Sequence, residues 1–122
     1  MEKRVLLVDD IEFILEFEAK VIESLEKELR HPILVEKAGS VREAKEKLEK
    51  RVYDVAIVDM HLEDGSGSDI ARMIRESGVK TRIAALTIYP ERFEEQRENF
   101  DAYFKKPILP SVYKENLRIL LG

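Results

Sequence analysis

The feature that most constrains this chain is a series of short, unbroken apolar runs. They are Val5–Val8, Ile33–Val35, Val55–Val58, Ile83–Leu86 and Ala102–Phe104. A strand that is buried on both faces needs apolar side chains at every position, whereas a half-exposed strand alternates. The runs therefore predict five strands of a sheet that is covered on both sides.

Helical patterns separate the runs. In the first, Ile14, Phe17, Val21 and Leu25 recur at spacings of three or four, which predicts a long amphipathic helix. The other patterns predict a helix opening at the capping box Ser40–Glu43, one near residues 68–77 that stops at Gly78, one beginning at Pro90, and one from about Pro110 to Leu121.

Strands that alternate with helices predict an α/β fold, a doubly wound five-stranded parallel sheet with helices on both faces. The 122 residues fit one domain, residues 1–122. In such sheets ligands bind outside the carboxyl ends of the strands, so the residues that follow each run are the candidates for a functional site.

Composition excludes several kinds of function. The chain has no cysteine, so thiolate catalysis and cysteine-bound metals are excluded, and a reducing compartment is expected. It shows neither a signal peptide nor an apolar stretch that could span a membrane, which predicts a cytoplasmic protein. The net charge of -4 is spread over interleaved acidic and basic residues, which disfavours direct nucleic-acid binding.

Polar residues follow four of the apolar runs. Asp9 and Asp10 follow the first, Asp59 the third, Thr87 the fourth and Lys106 the fifth. Three crowded carboxylates repel one another, so a bound hard dication is the simplest reconciliation, and oxygen ligands favour Mg²⁺. A carboxylate beside Mg²⁺ is a candidate nucleophile towards phosphorus, with the lysine and threonine as partners for the phosphoryl oxygens.

At these positions the chain resembles the receiver domain of two-component response regulators. The resemblance rests on Leu7–Asp10, Val58–Gly67, Leu86–Thr87 and Tyr103–Pro107, and it extends over essentially all 122 residues. It implies the flavodoxin-like strand order 2-1-3-4-5. It also implies a signalling switch, not an enzyme beyond self-catalysed phosphotransfer and slow autodephosphorylation.

The resemblance assigns a role to each site residue. Asp59 would be phosphorylated by a partner histidine kinase or phosphotransfer protein, and Lys106, before a cis peptide to Pro107, would bind the phosphoryl group. Mg²⁺ would be held by Asp10, Asp59 and the backbone carbonyl of His61, with Asp9 assisting through water. Thr87 and Tyr103 would be the switch pair, with the conformational change reaching the helix that begins at Pro90.

One departure from the family pattern concerns access to the site. Ile88 follows Thr87 at a position where the family usually has a small residue. If its side chain points toward Asp59, it narrows the route of a phosphodonor or a hydrolytic water. His61 and Tyr89, each two residues beyond a site residue, can add to that screen or counter it.

Several alternatives stay open at this point. Asp9 and Asp10 could simply cap a helix, and Tyr103 could be ordinary core packing. A pseudo-receiver, which binds a partner without phosphorylation, is the main rival function, although no acidic, threonine or lysine residue of the site is lost. A phosphoaspartate hydrolase is disfavoured because His61 stands where its second aspartate belongs. The output, either a downstream protein or a further domain, is not encoded in these motifs.

Overall fold

The computed structural model describes residues 2–89 and 98–122. The elements are β1 (Lys3–Val8), α1 (Glu12–Leu29), β2 (Ile33–Ala38), α2 (Val41–Lys50), β3 (Val55–Asp59), α3 (Gly67–Glu76), β4 (Arg82–Thr87), β5 (Ala102–Lys105) and α4 (Pro110–Leu121). The five predicted strands and the four predicted helices within these residues are confirmed. The helix predicted from Pro90 lies outside the described residues.

The sheet is parallel throughout, with strand order β2-β1-β3-β4-β5. This is the flavodoxin-like order, as predicted. β1 and β3 are neighbours with Val8 opposite Val58, so the residues that follow them emerge side by side at the carboxyl edge.

Two apolar clusters cover the two faces of the sheet. One joins the sheet to α1 and α4, and the other joins it to α2 and α3. β3 is buried along its whole length, as its continuous apolar run predicts. The same prediction is wrong for β2, where Leu34 is 38% exposed, because an edge strand is covered less completely than a central one.

Local signals explain where two of the helices begin. The Ser40 hydroxyl accepts a hydrogen bond from the Glu43 N–H at the start of α2, as predicted, while the Glu43 carboxylate reaches back to Gly39. Ser66 and Asp69 form a reciprocal capping box at the start of α3. No helix in residues 2–89 and 98–122 is long and apolar enough to cross a membrane.

Candidate functional site

Three carboxylates meet at the carboxyl edge of the sheet. Asp9 follows β1 and is fully buried, Asp10 is exposed, and Asp59 ends β3 with only 3% of its surface exposed. One oxygen from each lies within 4.8 Å of the others. The structure therefore brings together the three acids that the strand-end pattern predicts as a cluster.

Helix capping does not account for Asp9 and Asp10. The N-cap of α1 is Ile11, and no side chain makes the cap hydrogen bond. Asp9 Oδ1 instead accepts a hydrogen bond from the Ile11 N–H at 2.9 Å, which fixes the turn between β1 and α1. This bond leaves Oδ2 of Asp9 facing the other site residues.

Lys106 lies between two of the acids. Its Nζ is 3.3 Å from Asp9 Oδ2 and 3.4 Å from Asp59 Oδ2. Its backbone N–H donates to the Thr87 carbonyl at 2.9 Å, and the peptide to Pro107 is cis, as expected. Among the described residues the cluster thus holds three carboxylates and one ammonium, which leaves it negatively charged when all of them are ionised.

The pKa of Asp9 reflects its burial first and the neighbouring negative charge second. Burial raises the pKa of the Asp9 carboxyl above its usual value, and the charge of Asp59 raises it further. The hydrogen bond from Ile11 and the ammonium of Lys106 lower it, without cancelling the increase. A cation at the cluster would relieve this penalty, and a donor set of carboxylate oxygens suits Mg²⁺. The residues present therefore fit the ion that the sequence predicts.

Thr87 ends β4 and is completely buried. Its Oγ1 accepts a hydrogen bond from the Tyr89 N–H at 3.1 Å. A threonine hydroxyl can accept and donate at once, and this bond uses only its acceptor side. The hydroxyl can therefore still act as a donor, which is the role that a phosphoryl-binding threonine requires.

Tyr103 is half-buried in β5. Its ring lies 5.6 Å from that of Phe100, centroid to centroid, at an interplanar angle of 47°. It packs on the apolar cluster that joins the sheet to α2 and α3. This arrangement is ordinary aromatic packing, and the switch role of Tyr103 stays a prediction.

The three residues assigned to site access are all exposed. Ile88 is 53% exposed and Tyr89 42%, so neither belongs to the core. The His61 N–H donates to Asp59 Oδ1 at 3.2 Å, which places its backbone beside the acid cluster. Their control of access stays a prediction.

The structural role of Asp64 was not predicted from the sequence. Its Oδ1 and Oδ2 accept hydrogen bonds from the N–H groups of Val41 and Arg42, at 2.8 and 3.1 Å. The loop after Asp59 is thereby tied to the start of α2. No local signal reveals this contact, because the partners are more than twenty residues apart in sequence.

Comparison with known proteins agrees with this fold. Residues 5–118 match the response regulator receiver domain, and the chain belongs to that family. Receiver domains are the signalling switches of two-component systems and are not classed as enzymes.

Two regulatory proteins are similar in sequence to this chain. The photosynthetic apparatus regulatory protein RegA of Cereibacter sphaeroides is 38% identical over 88 residues, which are 72% of this chain and 45% of RegA. The matched segment thus spans less than half the length of that relative. Response regulator PilR of Pseudomonas aeruginosa is 34% identical over 71% of this chain and 18% of its own.

Solved structures include a relative of similar length. Response regulator TrrA of Thermotoga maritima, in complex with Mg²⁺-BeF, is 30% identical with a TM-score of 0.81 and covers 98% of this chain and 99% of its own. The chemotaxis response regulator CheY4 of Vibrio cholerae has a TM-score of 0.85 at 23% identity, covers 99% of this chain and 100% of its own, and shows likeness of fold.

Proposed function

We propose that this receiver domain is switched by transfer of a phosphoryl group to Asp59 from a histidine kinase or a phosphotransfer protein. The observation that carries the proposal is the setting of the Asp59 carboxylate. It ends a buried strand, lies 3.4 Å from the Lys106 ammonium, and shares a cluster with two further acids. Asp9 lies 3.3 Å from the same ammonium and shares the cluster, so the choice of Asp59 over Asp9 rests on the resemblance of Val58–Gly67 to the phosphoacceptor segment of the receiver family.

In the transfer, a carboxylate oxygen of Asp59 attacks the phosphorus of a phosphohistidine. The new P–O bond forms as the P–N bond breaks, and the electron pair of that bond leaves with the imidazole nitrogen, which then takes up a proton. The Lys106 ammonium is close enough to stabilise the negative charge that develops on the phosphoryl oxygens, and the Thr87 hydroxyl supplies a hydrogen-bond donor.

The metal ligands of the proposal are Asp10, Asp59 and the backbone carbonyl of His61, with Asp9 acting through water. Bound there, Mg²⁺ would supply positive charge to the phosphoryl oxygens. The complex of TrrA with Mg²⁺-BeF supports this choice of ion. The raised pKa of Asp9 is consistent with this choice, because burial, and after it the charge of Asp59, disfavours the ionised carboxylate, and a bound cation would offset that cost.

The switch would follow from rearranged ion pairs. A phosphoryl group brings a charge of about -1.5 to -2 and three acceptor oxygens. It competes with Asp9 for Lys106 and accepts a hydrogen bond from the Thr87 hydroxyl, so the ends of β4 and β5 respond first. Tyr103 and the segment that begins at Pro90 are the proposed readout, which passes the signal to a downstream protein or an output domain. A cytoplasmic location stays a prediction.

The test is intact-mass analysis after incubation with Mg²⁺ and a small phosphodonor. The wild-type chain should gain one phosphoryl group, and Asp59→Asn should gain none. Glu63→Gln is the matched control, because it removes one negative charge from the exposed loop just after Asp59 without touching the cluster.

Two results would contradict the proposal. Full labelling of Asp59→Asn would place the phosphoryl group elsewhere. An unlabelled wild-type chain that still binds Mg²⁺ would favour the phosphorylation-independent pseudo-receiver.

A further inference from the structure

A second buried carboxyl, Glu18, lies in the middle of α1, away from the acid cluster in sequence. It is 1% exposed. Its Oε1 accepts a hydrogen bond from the Tyr113 hydroxyl of α4 at 2.8 Å, and Tyr113 packs edge-on against Phe104, with ring centroids 5.1 Å apart. Oε2 is also buried and has no hydrogen-bond partner among the described residues. This one side chain therefore links α1 to α4 through a half-satisfied polar contact.

Residues 2–89 and 98–122 contain no cation within salt-bridge distance of Glu18. Lys114 and Arg118 of α4 pair with Glu28 instead, and Lys106 pairs with Asp9 and Asp59. β1 and β2 contribute the apolar residues Val5, Leu7, Ile33 and Val35 to the cluster under α1. The ionisable groups that act on the Glu18 carboxyl are Tyr113 of α4, Asp9 after β1, Asp59 of β3 and Lys106 after β5.

We propose that Glu18 carries its proton at neutral pH and that it is a pH-sensitive contact between α1 and α4, which destabilises the fold when the carboxyl ionises, because the buried charge has no cation beside it. Burying a carboxylate without a counterion costs far more free energy than burying a neutral carboxyl group that has one hydrogen bond. The geometry alone therefore favours the protonated form. The inference does not depend on the phosphorylation of Asp59.

The titration range follows from the same environment. Burial raises the pKa of Glu18 to about 8 from an ordinary 4.5, and the charges of Asp9 and Asp59 add to this. The Tyr113 hydrogen bond and the ammonium of Lys106 act against it. Burial also raises the pKa of Tyr113 well above 10, so the tyrosine keeps its proton while the glutamate titrates.

The sign of the effect on stability is fixed by these values. Between pH 4.5 and about 8 the unfolded chain has released a proton that the folded chain keeps. The stabilisation by protonated Glu18 is complete below pH 4.5, decreases as the pH rises, and is lost above about pH 8. The unfolding equilibrium constant should increase up to about tenfold per pH unit within this range from this group alone.

The experiment is urea unfolding at a series of pH values for the wild type and for Glu18→Gln, which keeps the shape and an oxygen that can accept from Tyr113. The ratio of the wild-type unfolding constant to that of Glu18→Gln should rise through the range and level off above about pH 8. Glu23→Gln, an exposed position of the same helix, is the matched control and should leave the pH profile parallel to that of the wild type. A parallel profile for Glu18→Gln would overturn the proposal.

Carboxyl ¹³C NMR tests the proposal on the wild-type chain if Glu18→Gln does not fold. The Glu18 resonance should titrate near pH 8, and its midpoint should move upward in Tyr113→Phe, which keeps the ring but removes the hydroxyl that favours ionisation. A midpoint at the ordinary glutamate value would overturn the proposed protonation. A midpoint that Tyr113→Phe leaves unchanged would overturn the proposed contact between the Tyr113 hydroxyl and the Glu18 carboxyl.

Discussion

Gly67, the first residue of α3, packs where the helix meets the end of β3. A Cβ at this position would lie 2.8 Å from the Asp59 carbonyl oxygen, 2.8 Å from Val58 Cγ2 and 3.0 Å from Met60 Sδ. The first contact is backbone, and the second belongs to a fully buried β-branched side chain with little rotamer freedom, so neither can yield easily. We expect Gly67→Ala to lower the free energy of unfolding by about 2–3 kcal/mol, the upper part of the range for overpacking.

Gly39→Ala is the matched control, because a Cβ there meets its nearest atoms only at 3.8 and 4.0 Å. It should be neutral or stabilise by about 0.4–1 kcal/mol through the lower entropy of the unfolded chain. Urea unfolding followed by far-ultraviolet circular dichroism measures both variants, since the chain has no tryptophan. The urea dependence of the free energy should stay unchanged.

The reasoning would be refuted if Gly67→Ala were within about 0.5 kcal/mol of Gly39→Ala, the range of ordinary surface substitutions. The rate of phosphoryl loading is a second measurement, which tests whether the packing at Gly67 affects the Asp59 site. Because the clash falls on the backbone of Asp59, phosphoryl loading should be slower in Gly67→Ala than in Gly39→Ala. Equal loading rates with a large loss of stability would show that α3 moves and Asp59 does not.

Three further substitutions test separate parts of the structure. Asp10→Ala should weaken Mg²⁺ binding by titration and slow phosphoryl loading, and unchanged affinity would place the ion elsewhere. Ile88→Ala should speed loading from a small donor and shorten the acyl-phosphate half-life, measured by time-resolved intact mass, with Mg²⁺ affinity nearly unchanged. Its stability should change by no more than about 0.5 kcal/mol because the side chain is exposed, and equal or slower rates would remove it from the access route. Ser40→Ala should lower the free energy of unfolding by about 1 kcal/mol through loss of the cap on Glu43, and an unchanged urea midpoint would show that the cap is dispensable.

Much of the fold follows from local pattern. The apolar run at Val55–Val58 and the capping box at Ser40 each predict their element, because burial and hydrogen bonding along a few residues leave a local trace. The edge position of β2 leaves no such trace, and the exposure of Leu34 depends on which strands flank it.

Part of the candidate site could also be predicted from the sequence, and part depends on tertiary packing. Asp9, Asp10 and Asp59 could be assigned to one edge from sequence, since parallel strands deliver their carboxyl ends to the same side. The pairing of Lys106 with both Asp9 and Asp59 depends on how β5 and its following loop pack.

Glu18 shows what the local sequence pattern predicts and what only tertiary packing decides. Burial of Glu18 was not predicted, although its place on the inner stripe of α1, four residues after Ile14 and three before Val21, was readable from the helical period. Its partner was not, because Tyr113 is 95 positions away and meets it only once α1 and α4 pack on the same face of the sheet. The sequence by itself determined the helices, the strands and which residues follow the strand ends, through periodicities that act over a few residues. Tertiary packing alone decided which of those groups touch, and so which charges are neutralised and which carboxyl group keeps its proton.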